Sequence, residues 1–132
     1  MIRILFIFLS LSLATSSTNT LQNKTYKLII FEGSDWCANC IRFNTTIIEN
    51  PDFITYAKAH HITIEHIDFP QKKSLSKTTE TYNASIAEKY NFNGVFPTLI
   101  LVNGDTSYQT LSYKNESTQE FIALLKSKIE VY

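Results

Sequence analysis

Cysteine is scarce in this chain: there are two in 132 residues, Cys37 and Cys40. No second CxxC pair accompanies them, and zinc wants four ligands, so the cysteines do not by themselves make a structural zinc site. Neither sign of charge is in excess. Twelve Lys and Arg balance twelve Asp and Glu, for a formal net charge of zero. No basic field draws nucleic acid, and no acidic field draws basic partners. The apolar stretch from Ile4 to Ala14 falls short of the roughly 20 residues of a membrane-spanning helix. Internal repeats and low-complexity tracts are absent.

What is present is core material. Hydrophobic residues make up 44% of the chain and charged residues 18%, with nine Phe and seven Tyr, which excludes a disordered chain. The length suits one domain. The N-terminus differs in kind from the rest. In MIRILFIFLSLSLATSS a single cation, Arg3, precedes the apolar stretch, and Ala14 and Ser16 are spaced as a signal peptidase prefers. The expectation is a signal peptide over residues 1–16 and a mature domain over 17–132, exported to a periplasm or otherwise secreted. An uncleaved anchor is the competing reading. No Cys follows the apolar stretch, so a lipidated N-terminal Cys is not expected.

Along the mature chain, Ser17–Thr25 reads as a polar lead-in. YKLIIFEG, Tyr26–Gly33, reads as a buried strand ended by glycine. Ser34 or Asp35 is placed to cap a helix running from about Cys37 to Glu49, with Ile41, Phe43 or Asn44, Ile47 and Ile48 as its apolar stripe. Asn50, Pro51 and Asp52 restart a helix. ITIEHID, Ile62–Asp68, is a second strand. A third helix is expected from about Thr79 to Tyr90, with Tyr82, Ile86, Ala87 and Tyr90 on one face. FPTLILV is a third strand, NGD a hairpin turn, and TSYQTLSY an edge strand. Ser117 and Glu120 form a capping box before a last helix with Phe121, Leu124, Leu125 and Ile129 on one face. The order β, broken α, β, α, β, β, α predicts an α/β fold with a central mixed sheet of about four strands and helices on both faces.

The two cysteines lie in FEGSDWCANCIRF, Phe31–Phe43. Export would let a disulfide persist. A bridge between residues three apart adds little as a staple, because the gain grows with loop length. His60, His61 and His66 are not spaced as a metal set; a helix end and a strand face account for them. A staple is therefore a poor account of the pair, and a metal site and a redox couple stay open as its uses.

LIIFEGSDWCANC together with the distant GVFPTLILVNGD resembles the two landmarks of thioredoxin-like proteins, the WCxxC helix start and the cis-proline loop. The resemblance covers essentially the whole mature chain. It is nearest to small exported members carrying GSDWCxxC, DFP, N-x-x-IA-x-KY and FPT, here Gly33–Cys40, Asp68–Pro70, Asn83–Tyr90 and Phe96–Thr98, and the size and layout are similar to the periplasmic DsbH type. Two departures stand out. Thioredoxins proper carry a buried Asp six residues before the first Cys, where this chain has Phe31, and the neighbouring Glu32 should point to the opposite face of the strand. The dipeptide between the cysteines is Ala38-Asn39, neither the Gly-Pro of thioredoxins nor the Pro-His of strong oxidants.

The resemblance implies an exported thiol–disulfide oxidoreductase in which Cys37 and Cys40 are catalytic and form a disulfide. Cys37, at a helix N-terminus that favours a thiolate, attacks; Cys40, one turn on, resolves. Trp36, Phe96 and Pro97 would contact substrate, with Pro97 cis and the Phe96 backbone pairing with an extended segment. Glu32 and Asp35 are candidates for tuning the couple, Glu32 as proton acceptor and Asp35 more simply as a helix cap. No bound cofactor and no metal are implied. Partners would be cysteine-containing exported proteins, with a membrane thiol–disulfide reductase as electron donor, and the chain would act as a monomer. Without His between the cysteines, a reductase is favoured over an oxidase or isomerase. The reading from another class is a thioredoxin-fold binding module or chaperone without turnover. Lys72, Lys73 and Lys77 read as a solvated basic loop. Asn23, Asn44, Asn83 and Asn115 each open an N-x-[ST] triplet.

Overall fold

YKLIIFE forms β1 (Tyr26–Glu32), which is buried on both faces and therefore reads as a continuous apolar run rather than an alternating one. The structure is a computed structural model and describes residues 24–104 and 107–130. The expected signal peptide, most of the lead-in, Asp105 of the expected turn and Thr106 of the expected edge strand lie outside the described residues. β1 is central in a four-stranded sheet of order β2-β1-β3-β4. β2 (Ile62–Asp68) lies parallel to β1, with Phe31 opposite Ile67 and Glu32 opposite Asp68. β3 (Thr98–Asn103) lies antiparallel on the other side of β1. β4 (Ser107–Ser112) is antiparallel to β3 at the edge, where Tyr108 is exposed, as its polar neighbours predict.

The strand alternation sorts the core into two layers. Leu28, Ile30, Leu99 and Leu101 face one way and meet Phe43, Ile47, Phe53, Phe121 and Leu125. Ile29, Phe31, Ile100 and Val102 face the other way and meet Ile86, Ala87 and Tyr90. Helices thus cover both faces, three segments on the first and one on the second. Each fully buried Leu, Ile or Phe contributes about 1.5–3 kcal/mol.

The helices start where capping chemistry dictates. The Asn50 side chain accepts from the Asp52 N–H at 2.9 Å ahead of α2 (Pro51–Ala59), a cap worth about 1 kcal/mol. α3 (Lys77–Lys89) begins at Lys77 rather than Thr79, because Ser76 caps it through the Thr79 N–H at 3.1 Å. α4 (Thr118–Ile129) opens on the reciprocal Ser117–Glu120 capping box. The first helix departs from expectation. α1 (Ala38–Phe43) does not continue as α-helix to Glu49 but passes into a π-helical segment over Asn44–Ile48. Two stripe residues also fall outside the core: Ile41 and Tyr82 are exposed. Tyr82 turns its hydroxyl to the Glu65 carboxylate on the sheet edge, and it is Asn83 that is buried, donating to the Asp68 carbonyl at 2.7 Å.

Candidate active site

The loop from β1 to α1 is tied to the loop that follows β2. The Cys37 N–H donates to the Gly33 carbonyl at 2.9 Å, closing a tight turn. A Cβ at Gly33 would overlap the Trp36 indole, so this position needs glycine for close approach. The Ser34 N–H and hydroxyl both donate to the Asp68 carboxylate, at 2.8 and 2.7 Å. Lys73 pairs with the same carboxylate at 2.9 Å. The Trp36 Nε1–H donates to the Phe69 carbonyl at 2.8 Å. Asp35 is not the helix cap. Its carboxylate accepts from the backbone N–H groups of Gln71, Lys72 and Lys73, at 2.9, 2.8 and 3.2 Å. Those bonds, Gln71's first, hold Asp35 below the usual carboxylate range. Burial works against the charged form of Asp68, but the Ser34 and Lys73 bonds outweigh it, and this carboxyl is also held low. GSDW and DFPQKK, far apart in sequence, thus form one laced surface.

Cys37 itself occupies the N-cap of α1, and its Sγ accepts from the Cys40 N–H at 3.2 Å. Cys37 and Cys40 are joined in a disulfide, with Cα atoms 5.2 Å apart. Cys37 keeps 7% of its surface exposed and Cys40 none. The Phe96–Pro97 peptide is cis. The Phe96 ring meets Trp36 edge to face at 5.2 Å, Phe92 at 5.1 Å and Phe69 at 5.9 Å. Trp36, Phe96 and Pro97 are therefore brought to the same rim as Cys37. Trp36 is exposed there.

Glu32 is the buried charged side chain of the site, 4% exposed. Strand alternation does separate it from Phe31, which stacks on Phe92 at 4.3 Å in the layer under α3. The face to which Glu32 turns, however, is the one that α1 covers. There its carboxylate accepts from the Asn44 side-chain amide, one turn beyond Cys40. It also meets His66 Nδ1 at 2.7 Å. The Glu32 bond raises the His66 pKa above its ordinary 6.5, against the opposing effect of burial. His66 and Asn44 escaped the functional reading of the sequence. The signal available was parity: His66 and Glu32 share one face of a parallel strand pair whose register places Ile30 opposite His66.

The remaining candidates are dispersed. Asn44 and Asn83 are engaged inside the fold, Asn115 accepts from Arg42 at 2.9 Å, and Asn23 lies outside the described residues. Among the described residues no three His, Cys, Asp or Glu side chains group as a metal site. A cavity of about 580 Å³ opens at the far end of the sheet, around Tyr26, Lys58 and Lys89, and no cysteine lines it.

No protein-family model matches the chain. It is 31% identical over 77 residues to the disulfide bond reductase DsbH of Chlamydia pneumoniae, covering 58% of this chain and 45% of that protein. It is 25% identical over 92 residues to the thioredoxin-related protein DsbJ of the same organism, covering 68% of this chain and 26% of that protein. The chain thus matches less than half the length of either curated relative. Among solved structures, a DsbH oxidoreductase superposes with a TM-score of 0.74 at 23% identity, over 84% of this chain and 76% of that one. The fold is thioredoxin-like, with the DsbH type among its relatives.

Proposed function

We propose that this thioredoxin-fold chain is an exported thiol–disulfide oxidoreductase that reduces disulfides in secreted proteins. The observation that carries it is the unequal cysteine pair: Cys37 at a helix N-cap with some exposure, Cys40 fully buried one turn on. Unpaired N–H groups at the helix end favour the Cys37 thiolate, and the Cys40 N–H already points at its sulfur. In the reduced protein the Cys37 thiolate attacks a substrate disulfide. A mixed disulfide forms and one substrate thiolate leaves. Cys40 then gives up its proton, and its sulfur attacks Cys37. The Cys37–Cys40 bond forms, and the second substrate thiolate departs and takes a proton. Trp36 and Phe96 offer the flat apolar wall, and the backbone at cis Pro97 pairs with the extended substrate segment.

Direction follows from what flanks the sulfurs. The intervening Ala38-Asn39 brings no cation to the thiolate, so one way of stabilising the reduced form and making the pair oxidising is missing. A reductase needs electrons, and a membrane thiol–disulfide reductase is the proposed donor, with residues 1–16 as the export signal and the periplasm as the destination. The relative named as a disulfide bond reductase supports this reading.

The test is the potential of the Cys37–Cys40 pair, equilibrated in glutathione or dithiothreitol buffers. A value near about −270 mV is expected. A value between about −120 and −180 mV would reverse the direction while leaving the site in place. A pair that never equilibrates would end the enzyme reading and favour a binding module that uses the Trp36–Phe96 rim.

A further inference from the structure

Cys40 has no exposed surface, yet its proton must leave before it can resolve a mixed disulfide. A chain of polar side chains leads outward from the same helix. Asn44, one turn after Cys40, donates its backbone N–H to the Cys40 carbonyl and its side-chain amide to Glu32. The π-helical segment begins at Asn44, and such segments are frequent at functional sites. Glu32 is only 5% exposed at its side chain, whereas His66, bonded to its other carboxylate oxygen, is 41% exposed. Exposure therefore rises in order from Cys40 through Glu32 to His66. A second observation points the same way. The Asn44 Oδ1 is buried and has no hydrogen-bond donor while the cysteines are joined. Buried acceptors are rarely left so, and the Cys40 thiol, one turn back on the same helix, is a donor that exists only in the reduced protein.

We propose that His66 is the positioning residue of a proton path for Cys40: it orients the Glu32 carboxylate toward the cysteine helix and connects it to solvent. The inference rests on the oxidoreductase reading. In the resolving step the Cys40 S–H bond breaks and its proton goes to the Glu32 carboxylate, while the sulfur forms its bond to Cys37 and the substrate sulfur leaves with the electron pair. The extra proton on the Glu32–His66 pair then passes to water through the half-exposed imidazole. Reduction runs the path inward. The charged groups around His66 are Glu32 on β1, Asp68 on its own strand, and Lys73 on the following loop, which is paired to Asp68; the helix side contributes the neutral Asn44.

Coupling of this kind is reciprocal, so the redox state of the cysteines must alter the proton affinity of His66. The first experiment is a titration of the His66 imidazole by NMR in wild-type protein, once as disulfide and once as dithiol. A difference in proton affinity of about fivefold or more is expected. The same curve in both states would overturn the proposal. His66→Gln and Glu32→Gln then separate positioning from folding. Resolution of a mixed disulfide at Cys37 should lose its pH dependence across the imidazole range in His66→Gln and slow about tenfold or more in Glu32→Gln. Rates that overlay those of wild type would overturn the proposal while leaving the oxidoreductase reading intact. A wild-type pair that exchanges with no thiol would remove both.

Discussion

Cys37 retains 7% exposure and Cys40 none, so the two sulfurs cannot trade roles. Cys40→Ala should still attack, and should accumulate a covalent adduct with a small disulfide such as oxidised glutathione, seen by mass spectrometry as one added thiol. Cys37→Ala should form none and should not reduce insulin. An adduct on Cys40 in that variant would assign the attack to the wrong sulfur. Gly33 is the other position where one atom decides. Its hydrogen faces the indole of Trp36, and a methyl group there has no room. Gly33→Ala should push the ring off the Phe69 carbonyl and cost about 1–3 kcal/mol by overpacking. Trp36 is the sole tryptophan, so its fluorescence reads the displacement directly. An unchanged emission maximum with an unchanged urea midpoint would mean that the indole has slack the geometry does not show.

The loop after β2 is fixed by the loop before α1, not by itself. Asp35 accepts from three consecutive backbone N–H groups and Asp68 from both donors of Ser34. Both carboxyls are held below the ordinary carboxylate range, so both contribute stability that is present above about pH 4 and is lost as pH falls through their lowered values. Asp35→Asn and Asp68→Asn should each lower the urea midpoint at pH 7, and the gap to wild type should narrow as pH falls below the ordinary carboxylate range. A gap that persists unchanged in acid would mean that packing, not charge, holds the loops. This lacing also marks where the sequence stopped being legible. The strands, the Asn50 and Ser117 caps, and the proximity of Cys37 to Cys40 follow from local patterns. The partner of Asp35 does not, because capping by Asp35 and acceptance from residues 71–73 use the same oxygen atoms, and only the tertiary approach of two loops selects between them. The surroundings of Glu32 are hidden for a related reason. Alternation gave its face correctly, but which face α1 covers is set by where the chain crosses over, and no local pattern carries that.

At the scale of the whole molecule, the two-layer arrangement was legible because β1 and β3 are apolar on both faces, which requires helices on each side. The Cys37–Cys40 pair sits at one end of that sheet, so its potential is a property of the entire fold. The potential of the pair in the folded chain differs from that in the unfolded chain by the difference in folding stability between disulfide and dithiol protein. If the fold favours the disulfide, the potential is low and the protein is a reductase; an oxidant stabilises its reduced form instead. The proposed direction therefore predicts that the disulfide form melts above the dithiol form. About 30 mV corresponds to about 1.4 kcal/mol, and each kcal/mol moves the melting temperature of a domain this size by about 4–8 °C. Calorimetry of the oxidised and fully reduced protein at one pH is the measurement. A dithiol form that melts higher would contradict the reductase assignment even if Cys37 and Cys40 remain the exchanging pair, because the fold would then stabilise the reduced form as an oxidant does.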